Sequence, residues 1–246
     1  MSDFDVVPTR AGAWSDAQME ALFAEGFPAW IVGDAAVTPL IPRVRDLFAP
    51  FDLTLVDHDE QPGATGWGVP LAWDGDPDDL PDTFAGMLGR ALALHDTGGV
   101  PDTLAVGGAV VHPAHKGTDV AEALLRSLGD VATAHRLERV VAPVRPTRKD
   151  LYPLMPIELY AHWVRDDDLP WDPWLRLHVR MGATIQRVLP QAQTMTGTVD
   201  QWRGWTGMEF PATGDYVIPR GMSILHVDRD HDLGTYVEPN VWVRHR

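Results

Sequence analysis

Between an apolar run ending at Val111 and an amphipathic segment opening at Val120 stands His112-Pro113-Ala114-His115-Lys116-Gly117-Thr118-Asp119. A glycine-bearing loop that leads a strand into a helix leaves several backbone N–H groups pointing at one spot. The helix dipole adds positive potential there. Gly117 permits close backbone approach, and Lys116 sets a cation beside it. Such a loop can hold a pyrophosphate or a comparable anion. It is not a Walker A loop, because no Gly-Lys-Ser/Thr ends it, and G-x-G-x-x-G is absent as well.

Two further groups bear chemistry. Arg145-Pro146-Thr147-Arg148-Lys149 is the densest basic cluster. It directly follows an apolar strand, so it would face the ligand crevice at that strand's carboxyl end. The cluster could hold a phosphate or an anionic carboxylate there, with a solvated loop as the plainer reading for Arg148 and Lys149. His178, four residues before Gly182, can act as acid or base, since an unperturbed imidazole titrates at about 6.5. A packing histidine bonded to a backbone carbonyl is the plainer alternative. Tyr152, Tyr160, Trp163, Trp171 and Trp174 precede it, and they suit core and lid packing more than a ligand tunnel. His112–His115 and Asp228–Asp232 have metal-like spacings without a third partner, so no metal is expected. Asp74–Asp82 is an acidic turn without the oxygen spacing or terminal Glu of an EF-hand. No Gly-x-Ser-x-Gly elbow occurs.

The elements that must position these groups are read from periodicity. Thr103–Val111 is a buried strand. Val120–Ala134 is the clearest helix, with Val120, Ala121, Leu124, Leu125, Leu128 and Val131 near a 3.6-residue period. Arg139–Val144 is the next strand, so 103–144 has βαβ order with parallel, central strands. Earlier, Phe4–Val7, Asp52–Asp57 and Gly66–Trp73 read as strands. Ser15–Gln18 reads as a capping box before a helix carrying Met19, Leu22 and Phe23. Thr38-Pro39 opens a second helix with Ile41, Val44, Leu47 and Phe48, and Leu80–His95 a third. Later, Glu158–Val164 and Trp174–Arg180 read as helices, and Ala183–Val188 and Ser223–Val227 as strands.

Composition bounds the rest. The chain has 246 residues, 45% of them hydrophobic, which is ordinary globular usage for one large domain. Its formal net charge of −15 argues against nucleic acid and against an anionic membrane surface as partners. Cysteine is absent, which excludes disulfides, thiolate zinc sites and cysteine nucleophiles. No run of about 18 apolar residues is present. Met1–Asp5 is acidic and without an apolar signal core, so a cytoplasmic location is expected.

The loop resembles motif A of the GNAT superfamily of acyl-CoA-dependent acetyltransferases. In that family a strand ending in V-x-P is followed by Gln/Arg-x-x-Gly-x-Gly/Ala and a helix with paired leucines. Val111 and Pro113 match the strand end, Lys116-Gly117 stands where Arg-Gly is usual, Ala121 fills the last small position, and Leu124-Leu125 follow. Asp119 departs from the pattern. Its carboxylate must turn away from a phosphate, for instance to cap the helix. The first basic or Gln position is His115 or Ala114, depending on register. The order of elements is similar to the whole GNAT fold, and the Trp-rich region 190–246 extends it.

The resemblance implies a mixed α/β (α+β) fold. Its central sheet is largely antiparallel, with a parallel splayed strand pair and helices on both faces, in a single domain over 1–246. It implies acetyl-CoA or another acyl-CoA as co-substrate, bound by Val110, Val111, Lys116, Gly117, Thr118, Asp119, Val120 and Ala121, with no metal. Strand N–H groups near Val110 and Val111 would polarise the thioester carbonyl. His178, standing where the family often has a tyrosine, would reprotonate the thiolate as an imidazolium. Arg145 and Tyr152 would contact the second substrate, a small-molecule amine, with Glu158 or Asp172 as base and Tyr152 or Tyr160 as alternative acids. Thr147 with His178 is also similar to the pair in GNAT-like decarboxylase loading domains of polyketide synthases. That makes malonyl-CoA decarboxylation (or S-acyl transfer) the second reading. A non-catalytic acyl-CoA-binding protein is the third, supported by Asp119.

Overall fold

Helix Val120–Ala134 forms where the apolar period demands it. Val120, Leu124, Leu125, Leu128 and Ala132 are its buried residues. Each buried leucine contributes about 1.5–3 kcal/mol relative to exposure. The computed structural model describes residues 4–11, 14 and 16–246. Ser15 of the expected capping box lies outside the described residues.

In chain order the elements are β1 (Asp5–Pro8), α1 (Asp16–Gly26), α2 (Ile41–Leu47), β2 (Asp52–Val56), β3 (Pro62–Leu71), α3 (Phe84–Asp96), β4 (Thr103–Val111), α4 (Val120–Ala134) and β5 (Arg139–Val144). There follow α5 (Ile157–Tyr160), α6 (Pro173–Arg180), β6 (Thr184–Gly197), α7 (Val199–Thr206), β7 (Gly214–Val217), β8 (Ile224–Asp228) and β9 (Leu233–Arg244). The strands run β1-β2-β3-β4-β5-β9-β8-β7 across the sheet, with β6 paired to β9. Every pairing is antiparallel except β4 with β5. This is the mixed, largely antiparallel sheet expected, with helices on both faces. β2 is buried throughout, and β5 at all but its first residue, as covered sheets require.

β4 and β5 are parallel over three pairs only, from Thr103↔Arg139 to Ala105↔Val141. Beyond them the strands part. A slip in the β3–β4 register falls between Trp67 and Gly68, leaving Gly107 unpaired. The Trp67 ring lies over this bulge, and a Cβ on Gly107 would stand 2.6 Å from it. Such a bulge increases the local twist, which turns β4 away from its neighbour.

β9 fills the far side of β5, from Val141↔Arg244 to Val144↔Val241, and runs along β6 for its whole length. Its Val241, Trp242 and Val243 belong to the main core. Its Tyr236 belongs to a second cluster with Trp30, Met195, Trp202, Phe210 and Leu225. Most of the C-terminal tryptophan surface is therefore packing.

Several expectations need correction. The helix expected over 158–164 is a single turn, α5. The strand expected to end at Val188 runs on to Gly197. β7, β9 and α7 had no counterpart in the sequence reading. In α1 only Leu22 of the expected apolar trio is buried, while Phe23 is exposed and stacks on Phe27 at 4.8 Å. Among the described residues, no helix is long and apolar enough to cross a membrane.

Candidate active site

The parting of β4 and β5 opens a cleft of about 1020 Å³. Val106–Val111 form one wall and Ala142–Arg145 the other. His115–Thr118, with Ala121 and Leu125 of α4, close one end. Trp174, Leu177 and His178 of α6 line it further along, as do Phe27 and Arg220. After Ala105 the backbone groups of β4 that would have met β5 have no strand partner, and so are open to an extended ligand.

The loop before α4 behaves as its composition suggests. Gly117 adopts φ +85°, which L residues rarely hold, and nothing lies within 4 Å of where its Cβ would be. Among the amides here, Lys116 donates to Pro113 O and Thr118 to His115 O. The Val120 amide makes a long 3.4 Å contact with Thr118 Oγ1. The N–H groups of Gly117, Asp119, Ala121 and Glu122 have no acceptor among the described residues, as expected of a helix start. An open glycine hinge with four unbonded amides at a helix N-terminus fits a pyrophosphate.

Six of the eight expected cofactor residues line the cleft: Val110, Val111, Lys116, Gly117, Thr118 and Ala121. Val120 instead packs in a small core with Leu55, Ala64 and Leu124. Asp119 is exposed at the N-cap position, and its side chain makes no capping bond, so the suggested capping role is not taken up. Gly117→Asp should weaken CoA binding at least about tenfold. The left-handed backbone costs an L residue roughly 1–2 kcal/mol, and the carboxylate adds repulsion. Titration calorimetry with CoA, alongside circular dichroism to check the fold, tests this; unchanged affinity contradicts it.

His178 is 1% exposed and lines the cleft. Its Nδ1 is 2.8 Å from His245 Nε2, and the Trp174 ring stands edge-on to it with centroids 4.6 Å apart. Its Nε2 is buried with no protein partner. Burial first, then His245, pushes its pKa down to about 3. The imidazolium expected from sequence is thus not the form present near neutral pH in the free protein. Burial outweighs the intrinsic basicity of the ring.

The other assignments divide. Thr147 and Arg148 line the cleft. So does Arg145, but it is already engaged, donating through Nε to Glu238 at 2.8 Å and through Nη2 to Arg220 O at 2.9 Å. Lys149 is buried, with Nζ donating to the carbonyls of Tyr152 and Met222, and burial lowers its pKa to about 8. It binds no anion there. Tyr152 is not in the cleft; it packs against Tyr160 and Trp163. Tyr160 is buried and donates to Asp172, and burial first, then Asp172, pushes its pKa upward. Asp172 caps α6 through Trp174 N and Leu175 N and also accepts from Arg148 N. All its bonds are structural, so it is no free base. Glu158 is exposed and outside this cleft.

The sequence reading missed Asp150, Gly107, Glu238 and His245. Asp150 lines the cleft and makes no hydrogen bond or ion pair among the described residues. No local pattern marks these four; each acquires meaning from neighbours far along the chain. Among the described residues, no group of three or more His, Asp or Glu is arranged to hold a metal ion.

No family model matches the chain. It is 31% identical over 225 residues to the arginine N-acetyltransferase avaD of Aspergillus versicolor, covering 81% of this chain and 77% of that protein. Its fold is that of the loading GNATL domain of CurA from Lyngbya majuscula. The TM-score is 0.60 at 14% identity, over 98% of this chain and 96% of that one. It is also that of the GphF GNAT-like decarboxylase in complex with isobutyryl-CoA. There the TM-score is 0.54 at 20% identity, over 94% of each chain.

Proposed function

Because the chain belongs to the GNAT superfamily and is an acyl-CoA-dependent N-acetyltransferase, we propose that its acceptor is arginine or a closely similar cationic amino acid. The observation that carries this reading is the 31% identity over most of both chains to an arginine N-acetyltransferase. The lining of the cleft supports it: Asp150, which has no hydrogen-bond or ion-pair partner among the described residues although its charge acts on Arg145, is a carboxylate suited to a guanidinium, and Arg148 is a cation suited to the acceptor's carboxylate.

The acetyl group goes to the α-amine. The α-amine of a free amino acid loses its proton several pH units below a guanidinium, so it alone offers a usable neutral fraction as nucleophile, whereas the guanidinium stays protonated. Acetyl-CoA supplies the activated acyl carbon. The amides of Gly117, Asp119, Ala121 and Glu122, with the α4 dipole and Lys116, hold its pyrophosphate. The open edge of β4 lies along the thioester arm and directs N–H groups near Val110 and Val111 at the carbonyl oxygen. His178, neutral, donates a hydrogen bond to the charge that develops. The proton lost by the attacking neutral amine is matched by the one gained by the leaving sulfur, and the proton shed beforehand by the ammonium form passes to solvent.

Incubation with acetyl-CoA and a panel of arginine, ornithine, citrulline and agmatine, followed by mass spectrometry, tests the acceptor. Nα-acetylarginine is the expected main product. Asp150→Asn should raise KM for arginine about tenfold or more, the worth of a charge-assisted hydrogen bond, and leave that for citrulline nearly unchanged. Preference for citrulline in the unaltered protein overturns the assignment.

Malonyl-CoA decarboxylation is the second reading, favoured by Thr147 and His178 lining one cleft. The engagement of Arg145 by Glu238 counts against it, because the carboxylate clamp is already neutralised. Conversion of malonyl-CoA to acetyl-CoA, lost in Thr147→Ala, would revive it.

A further inference from the structure

Two imidazoles meet edge to edge beside the cleft. His178 Nδ1 and His245 Nε2 are 2.8 Å apart, with ring centroids 4.9 Å apart and planes inclined by 53°. The backbone around His245 is held firmly. Its main-chain N–H donates to Val140 O of β5, and Val140 N donates to Arg246 O. The Arg246 guanidinium in turn binds Thr133 Oγ1, Gly129 O and Leu137 O around the end of α4.

Burial lowers the proton affinity of both rings, so both are neutral near pH 7. A bond between two neutral imidazoles needs one donor and one acceptor. If His178 donates from Nδ1, His245 must accept at Nε2, and both rings carry their proton on Nδ1. If His245 donates from Nε2, His178 accepts at Nδ1, and both carry it on Nε2. A neutral histidine side chain intrinsically favours the Nε2–H form. The second arrangement therefore places both rings in their preferred tautomer, and the first places neither.

We propose that His245 is a positioning residue: its Nε2–H donates to His178 Nδ1 and so holds the His178 proton on Nε2, as a hydrogen-bond donor to the cleft. His178 Nε2 is then a buried donor with no protein partner among the described residues. A buried donor left unsatisfied costs roughly 1–3 kcal/mol in the free protein, a cost that a substrate atom reaching it on binding would remove. The inference rests on the reading of His178 as the donor to developing charge.

The experiment has two arms. Nitrogen-15 NMR of the full chain, without substrates, reads the tautomer of His178 directly; protonated Nε2 and unprotonated Nδ1 are expected. A proton on Nδ1 overturns the proposal whether or not His178 proves necessary for activity. In the second arm, His245→Leu should lower kcat about 10–100-fold, the usual range when the group orienting a functional histidine is lost. KM for acetyl-CoA should stay within a few-fold, and His245→Gln, whose amide can donate from the same place, should recover most of the loss. Full activity in His245→Leu beside an inactive His178→Ala overturns the positioning role and leaves the donor reading intact. Full activity in His178→Ala, with the tautomer as expected, overturns the donor reading instead.

Discussion

His178→Ala should lower kcat for acetyl transfer about 10²–10³-fold, the typical cost of removing one donor aimed at developing charge. KM for acetyl-CoA should change little, because the loop proposed to hold the pyrophosphate, His115–Thr118, is a separate part of the lining. A loss in kcat and kcat/KM together marks an interaction made only in the transition state. The rate should not show a limb near pH 6.5 from this residue, since burial already keeps it neutral down to about pH 3. Stability carries the same signature. The unfolded chain binds this proton near 6.5 and the folded chain only near 3. The contribution of His178 to stability is therefore whole above about pH 6.5 and shrinks as the pH falls toward 3. Melting curves of the native chain and the variant across that window should converge toward acid. A His178→Ala protein with unaltered kcat would mean that the ring only packs.

Glu238→Ala should destabilise the fold by about 3–5 kcal/mol, because it strands a largely buried guanidinium. Glu238 is 0% exposed and accepts from Nε of Arg145 at Oε1 and from Nη2 at Oε2, where Tyr236 also donates at 3.2 Å. Tyr236 also accepts from Met222 N, so the loss spreads into the second core cluster. For a chain of this size each kcal/mol moves the melting temperature by about 2–4 °C, so a drop on the order of 10 °C is expected in calorimetry. Replacing both partners by apolar residues, Arg145→Met with Glu238→Leu, should recover much of it. A single variant melting within a degree of the native chain would show that water solvates Arg145 adequately.

The legible and illegible parts of this protein divide along a physical line. Thr103–Val111, Val120–Ala134 and Arg139–Val144 have in the structure the bounds their periodicity indicates. Each is a run whose apolar spacing matches one element, and none needs a distant partner to be recognised. β9 was invisible for the opposite reason. Gly234, Glu238, Pro239 and Asn240 interrupt its apolar residues and read as loop. They are tolerated in the sheet because Glu238 finds Arg145, 93 residues away, and Asn240 donates to Pro143 O. β6 was cut short at Pro190, where the ladder absorbs the proline as a register shift between Leu189 and Gln193.

The site divides likewise. The loop at Lys116–Ala121 was readable because a glycine hinge before an amphipathic helix makes an anion cradle from local backbone alone. His178 was readable by its spacing from Gly182, but not its charge, which burial and His245, 67 residues on, decide. Sequence by itself determined the strand–loop–helix–strand unit and the glycine hinge that leaves amides open at the start of α4, since short-range periodicity and backbone geometry encode both. The tertiary structure alone decided that β9 closes the sheet, that β4 and β5 part after Ala105 and Val141, that Arg145 is spent on Glu238, and that His178 is neutral. Those outcomes depend on desolvation and on contacts between residues far apart in the chain, and neither leaves a local pattern to read.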